Sequence, residues 1–197
     1  VRRGLLVVLS GPSGVGKDSV LRRVFALDPR LVYSVSYTTR PPRPGEVEGV
    51  DYSFVSEAEM DRLIAAGEML EWAHVHGHRS GTGRSRIEAA LAAGRDIVLN
   101  VDVQGGAAIR ERVEGAFLIF LVPPSVEELD RRRRGRGTES AADLAVRAAD
   151  AAGEMALASS YDAVVVNDDL DRAAAEVLRL IDARRAELAA SEAPEAG

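Results

Sequence analysis

Seven residues near the N-terminus, Gly11-Pro12-Ser13-Gly14-Val15-Gly16-Lys17, fit the pattern G-x-x-x-x-G-K. The glycines let the backbone curl so that successive N–H groups face one anion, and a helix starting at the end of the turn adds its partial positive charge. Lys17 supplies a flexible point charge that can follow a transferring phosphoryl group. Of the 25 Lys+Arg residues, 24 are arginine and Lys17 is the single lysine. A planar arginine fork has neither the size nor the mobility for the inside of such a loop, so lysine is kept here. The glycine order is not the G-x-G-x-x-G of a dinucleotide turn. Asp18 and Ser19 follow where a hydroxyl ligand for Mg²⁺ is expected. Asp18 is therefore either a hard-oxygen ligand for Mg²⁺ or an acidic first-turn residue that stabilises the helix, and both readings stand.

Other residue groups could do chemistry. Arg40 and Arg43 lie three apart among prolines that fix the backbone, and two guanidinium forks can clamp a phosphate dianion. His74, His76 and His78 alternate, which in one strand would put three imidazoles on one face, so a metal site is conceivable there. Arg131 to Arg134 and Arg136 form a dense basic segment. A switch-type GTPase would read guanine with an N-K-x-D loop, which a chain with its only lysine in the phosphate loop does not have.

The elements that must hold these groups are those of a parallel α/β domain. Leu5 to Leu9 is a continuous apolar run, the mark of a strand covered on both faces, and Val20, Val24 and Leu27 then recur at helical spacing. Ile97–Val101, Phe117–Val122 and Ala163–Val166 are further buried-strand candidates, each followed by a helical pattern. Residues 170–188 make an amphipathic closing helix with Asp169 or Asp171 available as its cap. Two segments break the rhythm: 37–85, rich in Pro and Gly turns and expected to be a small β-rich insertion, and 126–157, charged and alanine-rich, expected to be a helical one. Residues 191–197 read as a frayed tail.

The totals suit one domain of 197 residues. The absence of cysteine excludes disulfides and thiolate chemistry. No run approaches the length of a membrane helix, and the N-terminal apolar stretch is too short for a signal segment, so no membrane partner and a cytoplasmic location are expected. A net charge of -6 argues against a general nucleic-acid binder.

The motifs GPSGVGK, SVSYTTRPPRPGE, VDYSFV, EMLEW, NVDVQG, RGRGTE and VNDDLD occur in this order over nearly the whole chain. In that ordered set the sequence resembles guanylate kinase. The resemblance implies a P-loop NTPase-type three-layer core with a parallel sheet (1–36, 86–125 and 158–190), a small β-rich GMP-binding region (37–85) and a helical lid (126–157). It implies transfer of the γ-phosphoryl group of ATP to GMP or dGMP, with Mg²⁺. ATP would be held by residues 11–19, Arg132, Arg136 and Asn167, with Lys17, Arg40, Arg132, Arg136 and Arg147 acting on the phosphates. The GMP phosphate would meet Arg40, Arg43, Tyr52 and the residue at Ser80, and the base Glu71, Ser36 and Thr82, with Asp102 lining the site. A carboxylate at Glu71 accepts guanine N1–H and the 2-amino group together, a pair adenine lacks. The family usually has tyrosine where this chain has Ser80, and Arg79 is a candidate to compensate. The alternatives are a non-catalytic module of the same fold, which typically loses the loop lysine and the lid arginines that persist here, and a kinase for another nucleoside monophosphate, from which Glu71 discriminates.

Overall fold

A computed structural model describes residues 3–75, 77–134, 153 and 155–191. The first strand, β1 (Leu6–Ser10), is buried along its whole length. Leu5, Val7 and Leu9 point into one apolar cluster and Leu6 and Val8 into another, which is why the run is continuous rather than alternating. Around β1 lies a five-stranded sheet with β2 (Val32–Ser34), β7 (Ile97–Asn100), β8 (Phe117–Val122) and β9 (Ala163–Val166), in the order β2-β7-β1-β8-β9 and parallel throughout.

Helices α1 (Lys17–Leu27) and α6 (Leu170–Ser191) cover one face through Val20, Leu21, Val24, Ala174, Val177 and Ile181. The α1 contact uses Leu21 where the spacing suggested Leu27. That leucine stands in the last helical turn and is left half exposed. Asp169 caps α6, its Oδ1 accepting the Arg172 N–H at 2.9 Å. Helices α3 (Arg84–Ala92) and α4 (Val103–Arg112) supply Ile87, Leu91 and Ile109 to the other face. This is the three-layer arrangement with a parallel sheet.

A second sheet, in the order β4-β3-β6-β5, is built from β3 (Ser36–Thr38), β4 (Tyr52–Phe54), β5 (Met69–Val75) and β6 (His78–Gly83). Strands β3 and β4 are parallel, and β6 runs antiparallel to β3 and β5. Helix α2 (Glu57–Ala65), capped by Ser56, packs Met60 and Leu63 against Met69 and Tyr37 of this sheet. Only Val35 separates β2 from β3, and β6 runs straight into α3 at Gly83–Arg84. Helix α5 (Val126–Arg134) follows β8.

Candidate active site

A cleft of about 650 Å³ opens between the two sheets, a size that suits a small-molecule ligand. Its first wall is the loop after β1. Gly11 leaves the sheet at φ 146°, and a Cβ there would lie 2.3 Å from the Leu121 carbonyl oxygen, so only glycine lets the loop pass this close to β8. Gly16 stands at φ 99° as the N-cap of α1, leaving the first N–H groups of that helix without a side-chain cap. Gly11, Ser13, Gly14, Gly16, Lys17 and Asp18 line the cleft. The Lys17 ammonium folds back to donate to the Gly11 carbonyl at 2.7 Å.

Pro12 and Val15 lie beneath the loop, and Ser19 points outward, exposed. Val15 is buried in the core cluster, and its carbonyl accepts the Asn167 amide at 2.8 Å and Arg132 Nη1 at 3.3 Å. Arg132 also donates to Glu128 Oε1 at 2.7 Å and to the Asn167 carbonyl at 3.0 Å. These two residues therefore underpin the loop rather than line the cleft. Arg136 and Arg147 lie outside the described residues.

Asp18, in the first turn of α1, meets Asn100 at the end of β7, whose Nδ2 donates to Asp18 Oδ1 at 2.6 Å. Among the described residues no three acidic or histidine side chains form a metal cage. A divalent cation here needs phosphate oxygens from a substrate, and one carboxylate beside a phosphate loop is a donor set that suits Mg²⁺ in that role.

The second wall carries Ser36, Arg43, Tyr52, Glu71, Ser80 and Asp102. Ser36 and Tyr52 are register partners on adjacent strands, so their hydroxyl-bearing side chains lie on one face. Glu71, only 3% exposed, faces Thr82 across the β5–β6 pair, and the Thr82 hydroxyl donates to its Oε1 at 2.6 Å. Burial pushes the Glu71 carboxyl above its usual range. The Thr82 hydrogen bond opposes that shift, and the Asp102 charge adds to it. Asp102 caps α4, accepting the Gly105 N–H at 2.8 Å. A Cβ at Gly105 would stand 3.3 Å from both the Asp102 and the Glu71 carboxylates, so the glycine is what lets them approach the helix.

Arg40 stands behind this wall. Its fork is held by Glu46, and its guanidinium carbon lies 5.3 Å from the centre of the Tyr52 ring. Arg79 does not compensate for Ser80. It points to the other face of the sheet, buried, and donates to Glu57 at 2.6 Å and Asp61 at 2.7 Å on α2. The Ser80 hydroxyl donates to Thr38 Oγ1 at 3.1 Å. The histidines do not share one face either. The chain turns between β5 and β6, pairing Val75 with His78 and His74 with Arg79, so His74 and His78 project to opposite faces, and His76 lies outside the described residues.

The family model for guanylate kinase matches residues 3–184. The chain belongs to the guanylate kinase family. The guanylate kinase of Symbiobacterium thermophilum is 48% identical over 184 residues, covering 93% of this chain and 87% of that protein. The guanylate kinase of Nocardia farcinica is 49% identical, covering 91% and 94%. The crystal structure of guanylate kinase from Anaplasma phagocytophilum superposes with a TM-score of 0.77 at 34% identity, covering 98% of this chain and 96% of that one. A gluconokinase from Sinorhizobium meliloti, 17% identical with a TM-score of 0.53, shares the fold.

Within this guanylate kinase framework, Asn100 and Gln104 also line the cleft. Both sit inside the NVDVQG motif, which was the available signal for them. No helix among the described residues is long and apolar enough to cross a membrane.

Proposed function

We propose that the chain transfers the γ-phosphoryl group of ATP to GMP, or dGMP, giving ADP and GDP. One observation carries the reading: a single cleft is lined on one side by the phosphate loop with Lys17 and on the other by Arg43, Tyr52 and the buried Glu71. Two phosphate-binding sets facing one another suit in-line transfer between bound nucleotides, a reaction that needs positioning and charge neutralisation and no covalent intermediate.

In this reading the loop N–H groups and Lys17 hold the donor phosphates. Arg43 and Tyr52 hold the acceptor phosphate, Arg40 supports them from behind, and Ser36 stands near the base. Glu71, fixed by Thr82, accepts the two guanine donors, with Asp102 beside it. Arg132 and Asn167 act on ATP through the loop they brace, while Arg136 and Arg147 complete the charge on the donor side. Asp18, oriented by Asn100, and the ATP phosphates would hold Mg²⁺, which when bound neutralises charge developing on the phosphoryl oxygens. Functionally the chain divides into a core (1–36, 86–125, 158–190), a GMP-binding region (37–85) and a lid (126–157), working in the cytoplasm without nucleic acid or membrane.

A coupled ADP-release assay with GMP, dGMP, AMP, CMP and UMP, with and without Mg²⁺, tests this. Turnover is expected with GMP and dGMP and only with Mg²⁺. No turnover with GMP would point instead to a binding module. Replacing Asp18 by Ala should raise the Mg²⁺ concentration required, and an unchanged requirement would remove Asp18 from the metal.

A further inference from the structure

Leu70 and Glu71 occupy an irregular point of β5. Met69 pairs with Gly83 and Glu71 with Thr82, so two steps along β5 match one step along β6, and Leu70 is the extra residue of a β-bulge. The bulge decides what Glu71 faces. Met69 packs with α2, Leu70 packs into the core cluster that also holds Ile109, and Glu71 turns into the cleft. A regular strand would exchange the faces of every residue past this point.

The bulge is held from outside the sheet. Arg112, in the last turn of α4, donates from Nη1 to the Leu70 carbonyl at 2.8 Å. Gly105, Ile109 and Arg112 fall at helical spacing on one face of α4. Gly105 lies against the Glu71 carboxylate, Ile109 belongs to the same core cluster as Leu70, and Arg112 donates to the Leu70 carbonyl.

We infer that Arg112 is a positioning residue for base recognition: by fixing the Leu70 carbonyl it locks the bulge that aims Glu71 at the purine. The inference rests on Glu71 reading guanine. Arg112 also brings a positive charge toward a carboxylate whose other facing groups are the Thr82 hydroxyl on β6 and the Asp102 carboxylate at the head of α4, and that charge favours the ionised form of Glu71.

The test compares Arg112→Met, Arg112→Lys, Glu71→Gln and the Arg112→Met/Glu71→Gln double variant, measuring KM for GMP and for ATP, with GMP affinity followed against pH. Arg112→Met is expected to raise the GMP KM about tenfold, leave the ATP KM unchanged and move the acidic loss of GMP binding to higher pH. Arg112→Lys, which keeps the charge and a donor, recovers most of the affinity. Adding Arg112→Met to Glu71→Gln changes the GMP KM by less than about twofold, because the two act as one unit. A GMP KM within about twofold of wild type in Arg112→Met, an equal rise for ATP, or the same loss in the Glu71→Gln background would each overturn the inference. Unchanged GMP binding in Glu71→Gln alone would overturn the guanine-reading role itself and the inference with it.

Discussion

Glu46 grips Arg40 through both carboxylate oxygens, Nη1 to Oε2 and Nη2 to Oε1 at 2.9 Å each. The same carboxylate accepts the backbone N–H of Arg43 at 2.6 Å. The Arg40 hydrogen bond holds the Glu46 carboxyl below its usual range, with the Arg43 N–H adding to the effect. Glu46 thus organises the turn that carries Arg43, which lines the cleft. Removing its charge would help an incoming phosphate if electrostatics alone mattered. We expect the opposite: Glu46→Gln should raise the GMP KM about fivefold with the ATP KM unchanged, because the turn loses its anchor. Tighter GMP binding in steady-state kinetics would show Glu46 to be only a rival for Arg40.

Burial raises the proton affinity of Glu71 in the empty site, so its ionised form carries a cost. Guanine donors bind the carboxylate form, so GMP affinity should fall on acidification at a higher pH than an ordinary glutamate would give. In stability the sign is reversed. A carboxyl whose folded proton affinity exceeds the unfolded one destabilises the empty protein as pH rises through its folded titration. Glu71→Gln should therefore lower kcat/KM for GMP about a hundredfold, barely change any AMP activity, and leave the Tm of the empty protein equal or higher at neutral pH. Calorimetry with and without GMP checks both signs.

Asn167 is 6% exposed, and its amide supports the Val15 carbonyl beneath the phosphate loop. Truncation to Ala leaves that carbonyl with Arg132 alone, at 3.3 Å. The expected result is about a tenfold weaker ADP affinity by titration calorimetry, with guanine selectivity retained. Equal losses for both nucleotides would mean that the bond serves the whole core rather than the loop.

At the far end of the molecule, a hydrogen bond from Arg30 holds the Asp28 carboxyl down at about 2, from 3.8. A lowered carboxyl stabilises the fold fully above its unfolded value, and that contribution fades as pH falls from about 4 to about 2. Arg30 is largely exposed, so the contribution is screened to about 1 kcal/mol. Asp28→Asn should cost that much in urea unfolding near neutral pH, and the difference from wild type should vanish near the acid end of the window.

What the sequence made legible was local. The phosphate loop, its strand and its helix are contiguous, so glycine spacing and one apolar run placed all three. The buried strands β7 and β8 stood out as continuous apolar runs. Strand β9 reads the same way in the sequence but is not covered on both faces: it is an edge strand on which only Val165 is buried, while Val164 and Val166 are exposed. Strand β2 escaped notice: it is three residues long at the sheet edge, and the alternating Val32–Thr38 stretch gives no sign of where one sheet hands over to the other. Site residues carried by contiguous motifs were named. Partnerships across the fold were not, because Arg79 with Glu57 and Arg112 with Leu70 join positions 22 and 42 residues apart, between which no periodicity runs.

The chain enters the smaller sheet through Val35 alone and leaves it with no residue between Gly83 and α3. Two such short joints tie one end of the smaller sheet directly to the core. Ser36 and Thr82 lie beside these joints, and the Thr82 hydroxyl donates to Glu71. In the proposed reading, the groups assigned to the base are thus anchored at the joints with the core, while Arg43, assigned to the phosphate, stands away from them in the connection between β3 and β4.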